Sequence, residues 1–169
     1  MDLETRSSKR PLYAFLGFVA ATALTAALGS RETIRGKVPW YRMIRKSRLN
    51  PPDSVFGPVW TALFALTAIS GYRVWRAAPS PARTRALGLW TAQLALNANW
   101  SHLFFGQHRP KAAFVDLGAL FVTLGGYTRE AARVDKPAAY MMAPYLGWVG
   151  FAGYLNEEVI RKNPRFLTA

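Results

Sequence analysis

Residues 90–105, WTAQLALNANWSHLFF, are the stretch that decides the fold. They lie within residues 86–107, a run without a formally charged residue and about as long as a helix needs to cross a hydrocarbon core of roughly 30 Å. On a helix, one face collects a polar and aromatic stripe of Gln93, Asn97, Trp100 and Phe104. Because polar groups without partners are costly in lipid, we expect this stripe to face protein or a ligand cavity.

The composition favours membrane helices joined by basic loops. Of the 169 residues 51% are hydrophobic, and 22 Lys and Arg against 9 Asp and Glu give a net charge of +13. The basic residues lie at the ends of apolar runs and form no single face, so we expect them to meet anionic lipid headgroups and not nucleic acid. With no Cys and only 2 His, the sequence predicts neither a disulfide nor a metal site.

Five apolar runs predict an all-α membrane protein, a bundle of five transmembrane helices. The spans cover about residues 12–30, 54–72, 86–107, 112–128 and 137–156. They form one domain over residues 12–163, between a polar, basic N-terminus (residues 1–11) and a short tail (residues 164–169). A cleaved signal peptide is the alternative for the first run, but its length and the four runs that follow favour a retained span. Lys and Arg are too evenly divided between the two sides to set an orientation.

Three motif blocks resemble those of one membrane-protein family. The blocks are NPPDSVFGPVWTALF (50–64), QLALNANWSHLFFG (93–106) followed by VDL (115–117), and APYLGWVGFAGYLN (143–156). In order and spacing they resemble the TspO/MBR family, also called translocator proteins or peripheral-type benzodiazepine receptors, over roughly residues 48–163. The resemblance implies a five-helix membrane bundle, often a homodimer, that binds porphyrin, haem or similar hydrophobic ligands. It also implies a bacterial membrane, or the mitochondrial outer membrane for a eukaryotic member.

The resemblance also implies a ligand pocket, carried over position by position. The pocket residues are Phe56, Trp60, Gln93, Asn97, Trp100, Tyr145, Trp148, Phe151, Ala152 and Leu155. Their chemistry suits a flat tetrapyrrole, because Trp and Tyr rings can form stacking walls and the two amides offer hydrogen-bond donors. The alternative is that the rings fill a helix bundle and the amides bond across helices.

Two further features of the spans each allow two interpretations. Asp116, which matches the family's acid in span four, is a costly residue at mid-span. We expect it to form a structural hydrogen bond to span three or to the tight loop, with a proton-linked role as the alternative.

Gly88, Ala92 and Ala95, with Asn99 beside them, give span three a small face that allows close helix approach. This face is a candidate homodimer seam, and close packing within one subunit is the other interpretation.

The chain departs from the family pattern at several positions. The family usually has W-x-P-P-x-W before span two, and here Leu49 and Ser54 replace the tryptophans. The family's Pro-Pro after the Trp of span three is replaced by Ser101 and His102. These losses argue against chemistry that needs the loop tryptophans, porphyrin breakdown above all. Sterol binding is not predicted, because Glu157 stands where sterol-binding members have Tyr.

The sequence therefore predicts an integral membrane protein that binds tetrapyrroles for sensing, sequestration or transport. The alternatives are a photo-oxidative porphyrin-degrading enzyme and a membrane scaffold with a degenerate pocket. No nucleophile–base pair or acid pair supports conventional catalysis, so no catalytic residue is predicted. No cofactor is predicted either, since porphyrin or haem would be the ligand. His102 lies opposite the Gln93 stripe and is not expected to ligate haem iron. The expected partners are membrane lipid, the small hydrophobic ligand and a second copy of the chain.

Overall fold

The regular structure of the protein is helical wherever it is described. The computed structural model describes the backbone of residues 2–36 and 40–164, and the side chains of residues 10–34 and 40–164. In chain order the helices are α1 (Asp2–Gly36), α2 (Trp40–Met43), α3 (Asp53–Arg76), α4 (Pro81–Ser101), α5 (Pro110–Ala132), α6 (Lys136–Tyr140) and α7 (Ala143–Lys162), with a π-helical turn (His102–Gly106) directly after α4. The all-helical prediction is confirmed.

Two helices are long and apolar enough to cross a membrane by length and composition alone. They are α3 and the part of α1 from Arg10 to Ile34. The other long helices, α4, α5 and α7, carry more polar and charged side chains along their length. Five membrane crossings therefore remain a prediction, although five helices of 20 residues or more are present.

Local sequence signals explain where several helices begin. Ser80 caps α4 by accepting a hydrogen bond from the Arg83 backbone N–H at 3.1 Å, and Pro81 follows in the first turn, where its missing N–H costs little. Asp135 caps α6 in the same way, at 2.8 Å from the Ala138 N–H. Residues 137–156, expected as one span, are divided between α6 and α7, since Pro144 begins a new helix there. The polar N-terminus lies largely within α1.

The five long helices form a bundle in which α4 packs most closely against three neighbours. α4 packs against α1, α3 and α5, and α5 in turn packs against α7. The Trp90 indole N–H donates to the Thr67 carbonyl at 2.9 Å and so joins α4 to α3. A Cβ on Gly71 would overlap the Trp90 ring. This glycine therefore permits the close approach of α3 and α4.

The main hydrophobic core of the bundle includes Leu63, Trp90, Leu120 and Tyr145. A second hydrophobic cluster closes the end of the bundle where α7 finishes. It contains Trp40, Tyr41, Ile44, Phe104, Phe105, Ala113 and Val159. The loop after α2 is held to the end of α7 by Asn163. The Asn163 Oδ1 accepts from the Arg45 N–H, and its Nδ2 donates to the Arg45 carbonyl, both at 2.8 Å. The basic loop of residues 44–50 is thereby fixed over this end of the bundle.

Candidate functional site

Aromatic side chains predicted for the pocket meet between α3 and α7. The Trp60 ring of α3 lies edge-on to Tyr145 at 6.0 Å and to Trp148 at 6.4 Å between ring centroids. Phe56 contacts Trp148 in the same way at 5.8 Å. The backbones of α3 and α7 approach each other much less than those of α5 and α7. The rings therefore span a space that the backbones leave between these two helices.

The amide side chains of α4 form the polar side of this group. The Asn97 Nδ2 donates to the Tyr145 hydroxyl at 2.7 Å, which connects α4 to α7. Gln93 lies one turn earlier on the same buried face and is 0% exposed. Neither its Nε2 nor its Oε1 has a hydrogen-bond partner among the described residues. A buried amide in this state can still donate one hydrogen bond and accept another.

Trp100 lies towards the end of the bundle, between the two hydrophobic clusters. Its ring stacks on Phe104 at 5.3 Å, and its indole N–H donates to Asn156 Oδ1 at 3.3 Å. Asn156 in turn donates to the Pro110 carbonyl at 2.8 Å. Sequence reasoning did not include Asn156 in the site. The sequence feature that could have identified Asn156 is its position as the last polar residue before the charged end of the last span.

The remaining predicted residues of α7 lie further from the group around Trp60. Phe151 contacts Trp148 at 5.8 Å and Tyr154 at 6.4 Å, so it extends the aromatic row along α7. Ala152 packs against the main core, whereas Leu155 is half-buried and outside the main hydrophobic core. The structure thus brings Phe56, Trp60, Asn97, Tyr145 and Trp148 into contact and places Phe151 and Leu155 at the margin.

Similarity to known proteins identifies the family of this chain. A model of the TspO/MBR family matches residues 15–161. The chain belongs to the TspO/MBR family. It is 36% identical to the tryptophan-rich protein TspO of Chlorobaculum tepidum, over 80% of this chain and 87% of that protein. It is 35% identical to the translocator protein of Homo sapiens, over 88% and 89%, and 32% identical to protein CrtK of Rhodobacter capsulatus, over 82% and 88%. The family resemblance read from the motifs is confirmed.

In this TspO/MBR protein, Asp116 is hydrogen-bonded to the third long helix. The Asn99 Nδ2 of α4 donates to Asp116 Oδ1 at 2.7 Å. The second carboxylate oxygen of Asp116 is buried and has no hydrogen-bond partner among the described residues. The bond joins α4 to α5 and lies on a different face of α4 from Gln93. Asp116 therefore does not contact the aromatic group.

His102 also lies outside the aromatic group. It is exposed and belongs to the π-helical turn, where the Gln107 N–H donates to the His102 carbonyl at 2.8 Å. A Pro-Pro pair at positions 101 and 102 would keep this carbonyl but would remove the His102 N–H, which here donates to the Ala98 carbonyl. The imidazole faces α1, with Nδ1 3.7 Å from Glu32 Oε2. It has no access to a ligand between α3 and α7.

The small face of α4 is part of the surface. Gly88, Ala92 and Ala95 are all exposed, and a Cβ on Gly88 would meet no atom within 4 Å. No helix of the described part of the chain covers these residues.

Proposed function

We propose that this TspO/MBR protein binds a flat, largely apolar ligand of the tetrapyrrole class between α3, α4 and α7. Trp60, Tyr145 and Trp148 would form stacking walls, and Gln93 and Asn97 would face the polar edge of the ligand. The bound ligand would be held for sensing, sequestration or transport. The ligand class is the one that the family resemblance implies, and the aromatic rings and amides of this site support it.

The observation that carries this proposal is the unpartnered amide of Gln93. A buried polar group without a hydrogen bond costs about 1–3 kcal/mol, so such groups are rare in folded proteins. Here the amide lies one helical turn from Asn97, whose partner Tyr145 contacts Trp60. A porphyrin carries carboxyl groups at its edge, which can accept a hydrogen bond from the amide nitrogen or, when protonated, donate one to the amide oxygen.

The same proposal includes five membrane crossings. α5 exposes large apolar side chains along one face, with Val115 and Val122 at 72% and 73% exposure and Phe114 and Phe121 beside them. Contiguous apolar surface of this kind is rare on soluble monomers and typical of contact with lipid or protein. The polar side chains of α4, by contrast, include Gln93 and Asn97 in the interior. The amides that lower the hydropathy of α4 would then face protein and not lipid.

We further propose that two copies associate through the small face of α4. Gly88, Ala92 and Ala95 lie at spacings of four and three residues, which places them along one side of the helix. Small side chains let helix backbones approach closely in a membrane, where van der Waals contact supplies much of the association energy. The exposure of all three residues supports an intermolecular contact.

Titration with protoporphyrin IX tests the proposed ligand class. Purified protein is titrated in the dark while Trp fluorescence is followed, and the complex is then illuminated while the Soret band is recorded. Saturable quenching without loss of the Soret band supports binding for sensing, sequestration or transport. Protein-dependent loss of that band under light would instead support the porphyrin-degrading alternative. No quenching at micromolar porphyrin would contradict the proposal and leave a scaffold with a degenerate pocket.

A further inference from the structure

A groove on the outer surface of the bundle runs between α1 and the end of α4. Its volume is about 430 Å³, which lies within the range of small-molecule sites. It is lined by Leu28, Arg31, Glu32, Ala98, Asn99 and His102. None of these residues belongs to the aromatic group between α3 and α7. The groove is therefore a second candidate site, separate from the proposed tetrapyrrole pocket.

The groove lies where the apolar part of α1 gives way to charged residues. Arg31 and Glu32 come directly after the uncharged run of residues 12–30. Towards the middle of α1, Leu28 and Leu24 are 44% and 62% exposed and lie one turn apart on the same side of the helix. For a membrane-crossing α1, the charged pair would stand at headgroup level and the two leucines in the hydrocarbon region. This order of polar and apolar surface matches that of a phospholipid.

The charges of the groove are one cation and one anion side by side. Arg31 forms no ion pair with any other described side chain. Glu32 Oε2 lies 3.7 Å from His102 Nδ1, and the other ring nitrogen of His102 lies 2.9 Å from the amide nitrogen of Gln107. The imidazole is thus held between two partners. Because the Arg31 and Glu32 charges cancel, the groove complements a zwitterion better than a net anion.

Gly106 leaves room for the Glu32 carboxylate. A Cβ at position 106 would overlap Glu32 Oε2 and would stand 3.1 Å from His102 Nδ1. Any larger residue would therefore push the carboxylate away from the imidazole. On the other side of the groove, Asn99 donates one amide hydrogen to Asp116, which leaves its carbonyl oxygen as an acceptor and its second amide hydrogen as a donor.

We propose that this groove binds the headgroup of a phosphatidylethanolamine lipid. The Arg31 guanidinium contacts the phosphate, since Arg is well suited to phosphate oxygens. Glu32 accepts a hydrogen bond from the primary ammonium, and one acyl chain follows Leu28 and Leu24. A phosphatidylcholine headgroup carries the same charges but has no N–H to donate. The site therefore distinguishes two zwitterionic lipids by hydrogen bonding and not by charge.

Native mass spectrometry in detergent tests this assignment with dioleoyl phosphatidylethanolamine and dioleoyl phosphatidylcholine as probes. We expect the wild-type protein to bind the ethanolamine lipid about tenfold more tightly, the effect of one charge-assisted hydrogen bond. Glu32→Leu removes the acceptor and should remove that preference, whereas Arg31→Gln should weaken binding of both lipids alike. Glu157→Leu and Arg129→Gln are matched controls outside the groove and should leave the preference intact.

Gly106→Ala gives a second variant that keeps both charges. We expect it to reduce the preference for ethanolamine by displacing the Glu32 carboxylate, and circular dichroism with thermal melting verifies that each variant is folded. Equal affinity of the wild type for the two lipids would overturn the proposal, as would a preference that survives in folded Glu32→Leu. Tighter binding of dioleoyl phosphatidylglycerol would mean an anionic headgroup site and would also overturn it. A dimer that forms only after delipidation and is lost in Arg31→Gln would assign the groove to a second copy.

Discussion

At the scale of single residues, the two buried amides of the candidate site differ in whether they have a hydrogen-bond partner. Asn97 has its partner in Tyr145, but Gln93, one turn away, has none among the described residues. The sequence could indicate that both face inwards, because helical periodicity places them on the inner stripe. The sequence could not indicate which of the two amides has a hydrogen-bond partner, since that depends on where α7 places the Tyr145 hydroxyl group.

Gln93→Leu should separate stability from ligand binding. Leu removes the cost of the unpaired amide, so we expect the free protein to become more stable by about 1–3 kcal/mol. Affinity for protoporphyrin IX should fall about tenfold, because one ligand hydrogen bond is lost. Thermal melting and fluorescence titration measure the two effects, and exposed Gln107→Leu is the matched control. A variant that is less stable and binds porphyrin as tightly as wild type would show that Gln93 is a packing residue only.

Trp148→Leu should remove one wall of the proposed pocket. Trp148 contacts Phe56, Trp60 and Phe151, and loss of aromatic stacking is expected to weaken porphyrin binding about tenfold. The matched control is Trp75→Leu near the end of α3, where the ring stacks only on Tyr72 among the described rings. Equal affinities of the two variants would exclude Trp148 from the site.

At the scale of elements, the long helices follow from the sequence and the short ones do not. α4 has a clear capping signal, an uncharged run and a regular inner stripe, so its pattern is strong. α2 has only four residues, too few for any periodicity, and its loop is held by the distant Asn163. The division between α6 and α7 was missed because two prolines, Pro137 and Pro144, lie within one apolar run. Either could have begun a helix.

The hydrogen bond between Asn99 of α4 and Asp116 of α5 predicts that substitutions at these two residues have non-additive effects on the free energy of unfolding. Asn99→Leu should destabilise the protein by about 1–3 kcal/mol, because it leaves the Asp116 carboxylate without its donor. The double variant Asn99→Leu/Asp116→Leu should recover much of this loss, since no polar group then remains unpaired. Chemical unfolding of the four proteins of this cycle in detergent gives the coupling energy. Additive effects would mean that the 2.7 Å hydrogen bond does not stabilise the bundle.

The protection of the loop of residues 44–50 against hydrogen exchange should depend on Asn163. Asn163→Ala removes both hydrogen bonds to Arg45 and the bond to the Val159 carbonyl. We therefore expect faster hydrogen exchange at residues 44–50, measured by mass spectrometry, with little change in α3 or α4. The exposed amide of Gln107 provides a control, since Gln107→Ala should leave this loop protected. Unchanged exchange in Asn163→Ala would indicate that the hydrophobic cluster around Tyr41 holds the loop by itself.

At the scale of the whole molecule, the family and the all-helical fold could be predicted from three motif blocks and five apolar runs. The assembly could be predicted only as far as a small face on α4. That face is exposed in the structure, so its use depends on a partner helix and on the membrane around it. The sequence likewise does not predict what covers the outer apolar face of α5, because lipid and protein can both cover it.

A bulky residue on the small face should prevent association. Ala92→Phe would hold two α4 helices apart, so we expect the dimer fraction in lipid vesicles, measured by energy transfer between labelled copies, to fall several-fold. Ala119→Phe on the exposed side of α5 adds the same bulk elsewhere and should have no such effect. Equal energy transfer in both variants and in the wild type would show that the small face of α4 is not the dimer interface.

The central claim is that a porphyrin binds between α3 and α7, against Trp60 and Trp148. Light-driven oxidation tests this most directly, because bound protoporphyrin IX generates oxidant locally and peptide mass spectrometry identifies the modified tryptophans. The account predicts that Trp60 and Trp148 are oxidised before Trp75, and that an excess of haem, which competes for the pocket without sensitising oxidation, protects both. Oxidation of Trp75 at the same rate, or no protection by haem, would contradict it.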